Sequence, residues 1–421
     1  MGLQHLPRQL SAAAAELAQK LDQLGAVSDE PGRLSRIFLS PAMARAGLQV
    51  AEWMRQAGLE VREDSLGNRI GRLPSPRPSA RTLLLGSHLD TVRDAGRFDG
   101  ALGVLLPIVA AAELRRRGRT LPFHLEILGF SEEEGVRFAS AYLGSKGYCG
   151  RLQEADLELR DRDGLTVRQA LEALAGGAFT LPGPAHRRAE LLGYLEVHIE
   201  QGPVLEAKKL PLGVVSAIAG QTRARLSWRG RAGHAGTTPM ALRHDALAGA
   251  SELVLAAERL ALDHPPLVAT VGALEARPGA PNVIPGQVVH SLDVRHPDDG
   301  ARKQALAALK AQAREIARHR RLGLEWRVTQ DHGATACSPG LSALLAESVR
   351  ATTGRALSLP SGAGHDAVVL SRLAPIAMLF VRCRGGLSHH PDEHVDPADL
   401  EAALAATLDF LERLAAREGG R

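Results

Sequence analysis

Apolar positions along this chain follow two different periods. Thr82-Leu83-Leu84-Leu85-Gly86, Phe123 to Phe130 and Tyr194 to Ile199 are short, nearly continuous apolar runs that read as buried strands. Helical spacing runs from about Ser11 to Leu24 and again from Ala101 to Arg117. Ser40-Pro41 reads as the N-cap and first residue of a helix reaching about Ala57. Strands of this kind alternating with helices predict an α/β, doubly wound sheet.

The pattern changes between about Val215 and Gln330. Thr222 to Arg229 reads as strand, Arg243 to Leu262 as helix, Leu267 to Leu274 and Gln287 to Arg295 as strands, Asp298 to Arg320 as helix and Gly323 to Thr329 as strand. This βαββαβ order is that of a ferredoxin-like α+β sandwich. The first pattern resumes with a helix after Ser338, an apolar run from Ala374 to Val381 and a last helix from Pro397. The expected organisation is a discontinuous α/β domain (residues 1–214 and 331–421) carrying an inserted smaller one (residues 215–330).

Composition narrows the class. The chain has 421 residues, 45% hydrophobic and 23% charged, enough for two or three domains with sizeable cores. No window approaches the roughly 18 apolar residues of a membrane span. The opening Met1-Gly2-Leu3-Gln4-His5-Leu6 has neither a signal-peptide core nor the Ser or Thr of a myristoylation motif. Cys149, Cys337 and Cys383 are too few and too scattered for a disulfide framework or zinc finger. A cytoplasmic setting is the expectation. The formal charge of +4 comes mostly from dispersed arginines, with only six lysines, and aromatics are 3%. That argues against a nucleic-acid surface.

Candidate chemistry gathers at or just beyond the apolar strands, where open α/β sheets place their ligands. In Gly86-Ser87-His88-Leu89-Asp90-Thr91, His88 and Asp90 project to the same side, as a metal ligand and its orienting carboxylate would. By itself, His-x-Asp is equally a polar loop. Asp99 lies between Arg97-Phe98 and Gly100, just before an apolar helix, and reads either as a presented carboxylate or as a helix N-cap. Glu132-Glu133-Glu134 follows the Phe123–Phe130 strand. A cation would relieve the mutual repulsion of these carboxylates and let them divide roles, though a solvated turn is the alternative. His198 and Glu200 share a face before Gly202-Pro203, and Ser388-His389-His390-Pro391-Asp392-Glu393-His394 follows the last apolar strand.

Together these clusters supply nitrogen and oxygen donors without thiolate. Such a set favours zinc, with manganese, nickel or cobalt as alternatives. A central Asp able to bridge suggests a pair of ions about 3.5–4 Å apart. The chain contains no G-x-S-x-G elbow, P-loop or G-x-G-x-x-G fingerprint.

In chain order, G-S-H-L-D-T, F-D-G-x-L-G-V, E-E-E-G-x-R-F, H-I-E-Q-G-P-x-L-E, G-x-A-G-H-A-G-T-T-P-M and S-H-H-P-x-E resemble the dinuclear-metal amidohydrolase and peptidase superfamily. The likeness spans nearly the whole chain. It is greatest to the hydantoinase/carbamoylase branch, which acts on N-carbamoyl groups and includes N-carbamoyl-L-amino acid hydrolases and allantoate amidohydrolases. The distinguishing feature is His198, where the peptidase branch usually has an acidic ligand.

The resemblance implies that two divalent ions are held by His88, Asp99, Glu134, His198 and His389, with Asp99 bridging. It implies that Asp90 orients His88, that Glu133 is the general base, and that Gln201, His234, Asn282 and Arg295 contact substrate. It further implies a homodimer formed through the inserted domain, which acts as lid. Chemistry agrees with these roles. A ureido carbonyl is a poor electrophile, so water must be activated and its proton managed by a carboxylate. His234 suits the oxyanion and Arg295 a substrate carboxylate. The expected activity is hydrolysis of the terminal carbamoyl C–N bond of a ureido acid, allantoate or an N-carbamoyl-L-amino acid. An aminoacylase or metallopeptidase acting on N-acyl amino acids or dipeptides is the alternative.

Overall fold

The structure, a computed structural model, describes residues 10–420 of the chain, so the opening hexapeptide discussed above lies outside the described residues. The chain divides into two compact units. One reaches to Ser216 and resumes over Cys337–Leu359 and from Gly364 onward; the other comprises Ala217–Ala336 and Pro360–Ala363.

The first unit is built on a mixed sheet. Its centre is four parallel strands, His124–Phe130, Thr82–His88, Leu191–Ile199 and Ile376–Val381, in that spatial order. All seven residues of Thr82–His88 and all seven of His124–Phe130 are buried, as strands covered on both faces must be. The sheet also carries antiparallel strands that the sequence reading did not include. An antiparallel hairpin, Glu60–Glu63 with Arg69–Leu73, joins one side, and Leu212–Ile218 pairs antiparallel with Ile376–Val381 on the other. The hairpin strands are short and carry alternating charge, which left no apolar run to mark them.

Helices form where caps and periodicity agree. Ser11 Oγ accepts from Ala14 N (3.2 Å) at the start of Ala12–Gly25, and Ser40 Oγ from Met43 N (3.2 Å) at the start of Pro41–Gln56. Helix Ala101–Arg116 is apolar on every side and buried along nearly its whole length, so it forms the centre of the main core rather than a surface layer.

The second unit has a five-stranded antiparallel sheet. Gln287–His296 and Gly220–Arg229 form its middle, Leu274–Arg277 and Val268–Thr270 pair with the former, and Gly323–His332 with the latter. Helices Ala246–Asp263 and Asp299–Arg320 bury Ala250, Leu253, Leu309 and Ala313 in a core shared with Leu226, Trp228, Val288 and Leu292. The single strand expected over Leu267 to Leu274 is interrupted. Its middle leaves the ladder, and the amides of Gly272 and Ala273 bond instead to Ser291 Oγ at 3.2 and 3.0 Å. No helix among the described residues is long and apolar enough to cross a membrane.

A buried charge inside the first sheet gives a stability test. Glu126, in the middle of His124–Phe130, accepts from Tyr148 Oη (2.8 Å) and Arg72 Nη1 (3.0 Å), with His186 Nε2 at 3.3 Å. Burial opposes its charge, but His186, Tyr148 and Arg62 outweigh that and hold its pKa at about 2, below the ordinary 4.5. A depressed carboxylate stabilises the fold above its unfolded pKa and loses that contribution as pH falls through the folded one. Glu126→Gln should therefore destabilise the protein at pH 7 by roughly 3 kcal/mol. The gap to wild type should close as pH drops from 4.5 towards 2. Urea unfolding followed by circular dichroism at several pH values measures both.

Candidate active site

Parallel strands bring their C-terminal ends to one edge of a sheet, and each of the four central strands ends in candidate chemistry. His88 closes Thr82–His88, Ser131 to Glu134 follow His124–Phe130, His198 is next to last in Leu191–Ile199, and the His389 loop follows Ile376–Val381. Register sets His88 opposite Phe130 and His198 opposite Phe380.

Asp99 lies at the meeting point. Its Oδ1 is 3.4 Å from His88 Nε2 and 3.2 Å from His198 Nε2, and its Oδ2 is 3.5 Å from His389 Nε2. His389 Nε2 is also 3.4 Å from Glu134 Oε1. Ligand atoms of His88, Asp99 and His198 lie within 4.8 Å of one another, as do those of Asp99, Glu134 and His389, and those of His88, Glu133 and Glu134. Gly100, at φ 67°, is what lets His88 come so close, because a Cβ there would sit 2.4 Å from the ring.

Several features fit divalent cations. Asp99 Oδ1 is buried and accepts no hydrogen bond, which leaves an acceptor aimed between two imidazoles. Both imidazoles are turned the right way. His88 Nδ1 is 2.9 Å from the Asp90 carbonyl and His198 Nδ1 is 3.0 Å from the Ile199 carbonyl. A carbonyl only accepts, so each Nδ1 carries the proton and each Nε2 faces Asp99 as a potential ligand. Burial would lower the pKa of both rings, yet neighbouring carboxylates raise both: Asp90 and Asp99 act on His88, and Asp99 on His198. Asp99 is held well below its ordinary value by His198 and His88 despite its burial. A site that binds positive charge this strongly suits a metal ion that displaces those protons.

The other residues singled out divide as follows. The Asp90 carboxylate has a use that sequence spacing did not suggest. Its two oxygens accept from Glu133 N (2.9 Å) and Glu134 N (3.1 Å), while its main-chain carbonyl takes the His88 ring. Of the three adjacent glutamates, Glu132 turns into the backbone and accepts from Gly135 N (2.6 Å) and Leu143 N (3.0 Å). Glu133 and Glu134 turn towards His88. Burial, with Glu134, Asp366 and Asp90 adding to it against His88, pushes the Glu133 carboxyl well above its ordinary range. Glu200 caps the short helix Val204–Lys208 through Val204 N and Leu205 N. Gln201 Nε2 donates to Asp99 Oδ2 (2.8 Å) and to Ser388 Oγ (3.2 Å). His390 and His394 pair with Asp392 and Asp396, leaving His389 as the member of that run in the cluster.

His234, Asn282 and Arg295 lie in the second unit. His234 pairs with Val283 across a two-stranded ribbon, and the Asn282 carbonyl accepts from Ala235 N (2.9 Å), so these two residues sit side by side. Arg295 lies apart on Gln287–His296, donating to both oxygens of Asp293 (2.9 and 3.0 Å) and to the Gly362 carbonyl (2.7 Å). That uses three of its five N–H groups.

Sequence reading assigned no role to Ser388, Glu393, Glu196, His365 or Asp366. Ser388 Oγ donates to Asp99 Oδ2, Glu393 holds the Asp99 backbone, and Glu196 accepts from Ser87 Oγ (2.8 Å) and Ala367 N (2.9 Å). The His365 ring stands edge-on to His198, with centroids 4.5 Å apart. The first two belong to S-H-H-P-x-E and could have been found by asking what its non-histidine members do. The others carry no local signal.

The fold and site define a hydrolase. The sequence profile of peptidase family M20/M25/M40 matches residues 84–413, and the chain belongs to that family. It is 40% identical to allantoate deiminase 2 of Glycine max over 431 aligned positions, covering 95% of this chain and 89% of that one. It is 38% identical to an N-carbamoyl-L-amino acid amidohydrolase of Geobacillus stearothermophilus, covering 90% and 92%. A hydantoinase/carbamoylase family amidase from Burkholderia multivorans superposes with a TM-score of 0.89 at 34% identity, covering 95% of this chain and 97% of that one.

Asp90→Asn tests the clamp on the glutamates. The amide would turn a donor towards one of two backbone N–H groups, so turnover should fall about 10- to 100-fold with the chain still folded. Steady-state kinetics beside a thermal melt would show it.

Proposed function

We propose that this protein is a metal-dependent amidohydrolase that cleaves the terminal carbamoyl C–N bond of a ureido acid. Allantoate is the first candidate and an N-carbamoyl-L-amino acid the second. The observation that carries the reading is the His88–Asp99–His198 constellation joined through Asp99 to Glu134 and His389. The names of the relatives point to the same bond class.

In this reading His88 and His198 hold one cation, Glu134 and His389 hold the other, and Asp99 is shared. The ions, zinc first and manganese, nickel or cobalt otherwise, supply Lewis acidity that polarises the ureido carbonyl and acidifies water. Glu133 takes the proton of the attacking water. A carboxyl raised from its ordinary range can then return that proton to the departing nitrogen. Ammonia leaves, and the carbamic acid left behind breaks down to carbon dioxide and the free amine. Asp90 fixes the Glu133–Glu134 backbone during this transfer. Gln201, Asn282, His234 and Arg295 would contact substrate, His234 offering a donor to the oxyanion and Arg295 a planar fork to the substrate carboxylate. The second unit would serve as lid and homodimer contact in a cytoplasmic enzyme.

Ammonia release from allantoate and N-carbamoyl-L-amino acids, set against amine release from N-acetyl amino acids and dipeptides, tests the substrate class. Dominant amine release would transfer the assignment to an aminoacylase or peptidase. Glu133→Gln should lower turnover by about 10²- to 10⁴-fold with metal still bound; near-normal turnover would sink the base assignment. If His234 serves the neighbouring subunit, mixing His234→Ala with Glu133→Gln chains should recover part of the activity in heterodimers. No recovery after verified subunit exchange would argue against a shared site.

A further inference from the structure

We infer that Glu393 is a positioning residue: one carboxylate that locks the loop carrying His389 onto the turn carrying Asp99, and so assembles the second half of the donor set. The inference rests on the reading of Asp99 as a shared ligand.

The two halves of that set are held differently. His88 and His198 sit on sheet strands, nearly inaccessible at 3% and 2% side-chain exposure, with each ring fixed by a carbonyl. His389 has no strand beneath it. It lies on a loop at φ 56°, and its side chain is 48% exposed. A ligand placed this way needs support from elsewhere in its loop.

Glu393 provides it. Four residues beyond His389 the chain turns back, with Glu393 N donating to the His390 carbonyl (3.0 Å), and the Glu393 side chain is buried. Its Oε1 accepts from both Phe98 N (2.8 Å) and Asp99 N (3.0 Å). Those amides precede helix Ala101–Arg116, so no helical carbonyl is available to them. The approach is close enough to dictate Gly96, where a Cβ would lie 2.2 Å from the Glu393 Cβ. The Phe98 ring meets His394 edge-on at 6.1 Å on the same seam. Glu393 Oε2 is buried without a partner, which a residue kept only for packing would avoid. The pair of hydrogen bonds accepted at Oε1 is what the side chain contributes. Its neighbour Ser388 reaches the Asp99 carboxylate from the same loop. Loop and turn are thus joined at both the main chain and the side chain of Asp99.

The test is calorimetric titration of the metal-free full-length chain with Zn²⁺, for wild type, Glu393→Gln and Glu393→Asp, beside thermal melts of the metal-free proteins. Gln keeps a carbonyl oxygen at the position of Oε1; Asp keeps the charge but withdraws the oxygens by one methylene. Wild type should bind two ions. The Gln variant should bind both with affinities close to wild type. The Asp variant should bind the first normally and the second about 10- to 100-fold more weakly. Three results would overturn the latch: an Asp variant that binds both ions like wild type, a Gln variant as impaired as Asp, or losses spread over both ions together with a lower melting temperature. A wild-type chain that takes up no ion would remove the shared-ligand reading itself, and the latch with it.

Discussion

A carboxylate taken out of water must find positive charge or hydrogen-bond donors, and this chain buries a whole set of them along one edge of its central sheet. Asp90, Glu132 and Glu393 each solve the problem by accepting from two backbone N–H groups of another segment or turn. Glu196 accepts from a serine hydroxyl and a backbone N–H. Asp99 solves it differently, lying among three imidazoles with one oxygen unsatisfied. The first group holds loops in place, while Asp99 keeps one buried acceptor oxygen turned to imidazoles. The structure depends on that division.

The division also decides which carboxyl can do chemistry. Glu132 and Glu133 are adjacent in sequence, and burial raises both. Both oxygens of Glu132 are spent on amides, whereas Glu133 faces the His88 side. The proposed base must face the reacting atoms, and of these two Glu133 is the one grouped with His88 and Glu134. The same logic separates Asp99 from Asp90: both are buried beside His88, but the Asp90 oxygens are committed to main-chain donors.

Much of this was legible in the sequence, unevenly. Strands Thr82–His88, His124–Phe130 and Ile376–Val381 are apolar runs because both faces are covered, and the first two helices announced themselves through helical spacing from about Ser11 and through Ser40-Pro41. The hairpin Glu60–Glu63 with Arg69–Leu73 did not, since four or five residues of mixed charge carry no period. The strand expected over Leu267 to Leu274 looked continuous, but at its middle the amides of Gly272 and Ala273 turn to Ser291 Oγ on the neighbouring strand. The clusters around His88, Asp99, Glu132 to Glu134, His198 and Ser388 to His394 stood out because ligand types at strand ends are conspicuous, whereas the choice of Glu134 and His389 within them came from the family resemblance. Glu393 and His365 were inconspicuous because their partners lie hundreds of residues away or on another strand.

Taken alone, then, the order of residues determined most of the strands and helices of the central sheet and the inventory of donors, since periodicity and spacing are local properties of a chain. Which oxygen of Asp90 meets which amide, which of three adjacent glutamates turn towards His88, and which histidine of Ser388 to His394 turns towards Asp99 were decided only by folding. Those outcomes depend on donors brought in from distant segments, and a hydrogen bond is specified by distance and direction in space, which no spacing along the chain encodes.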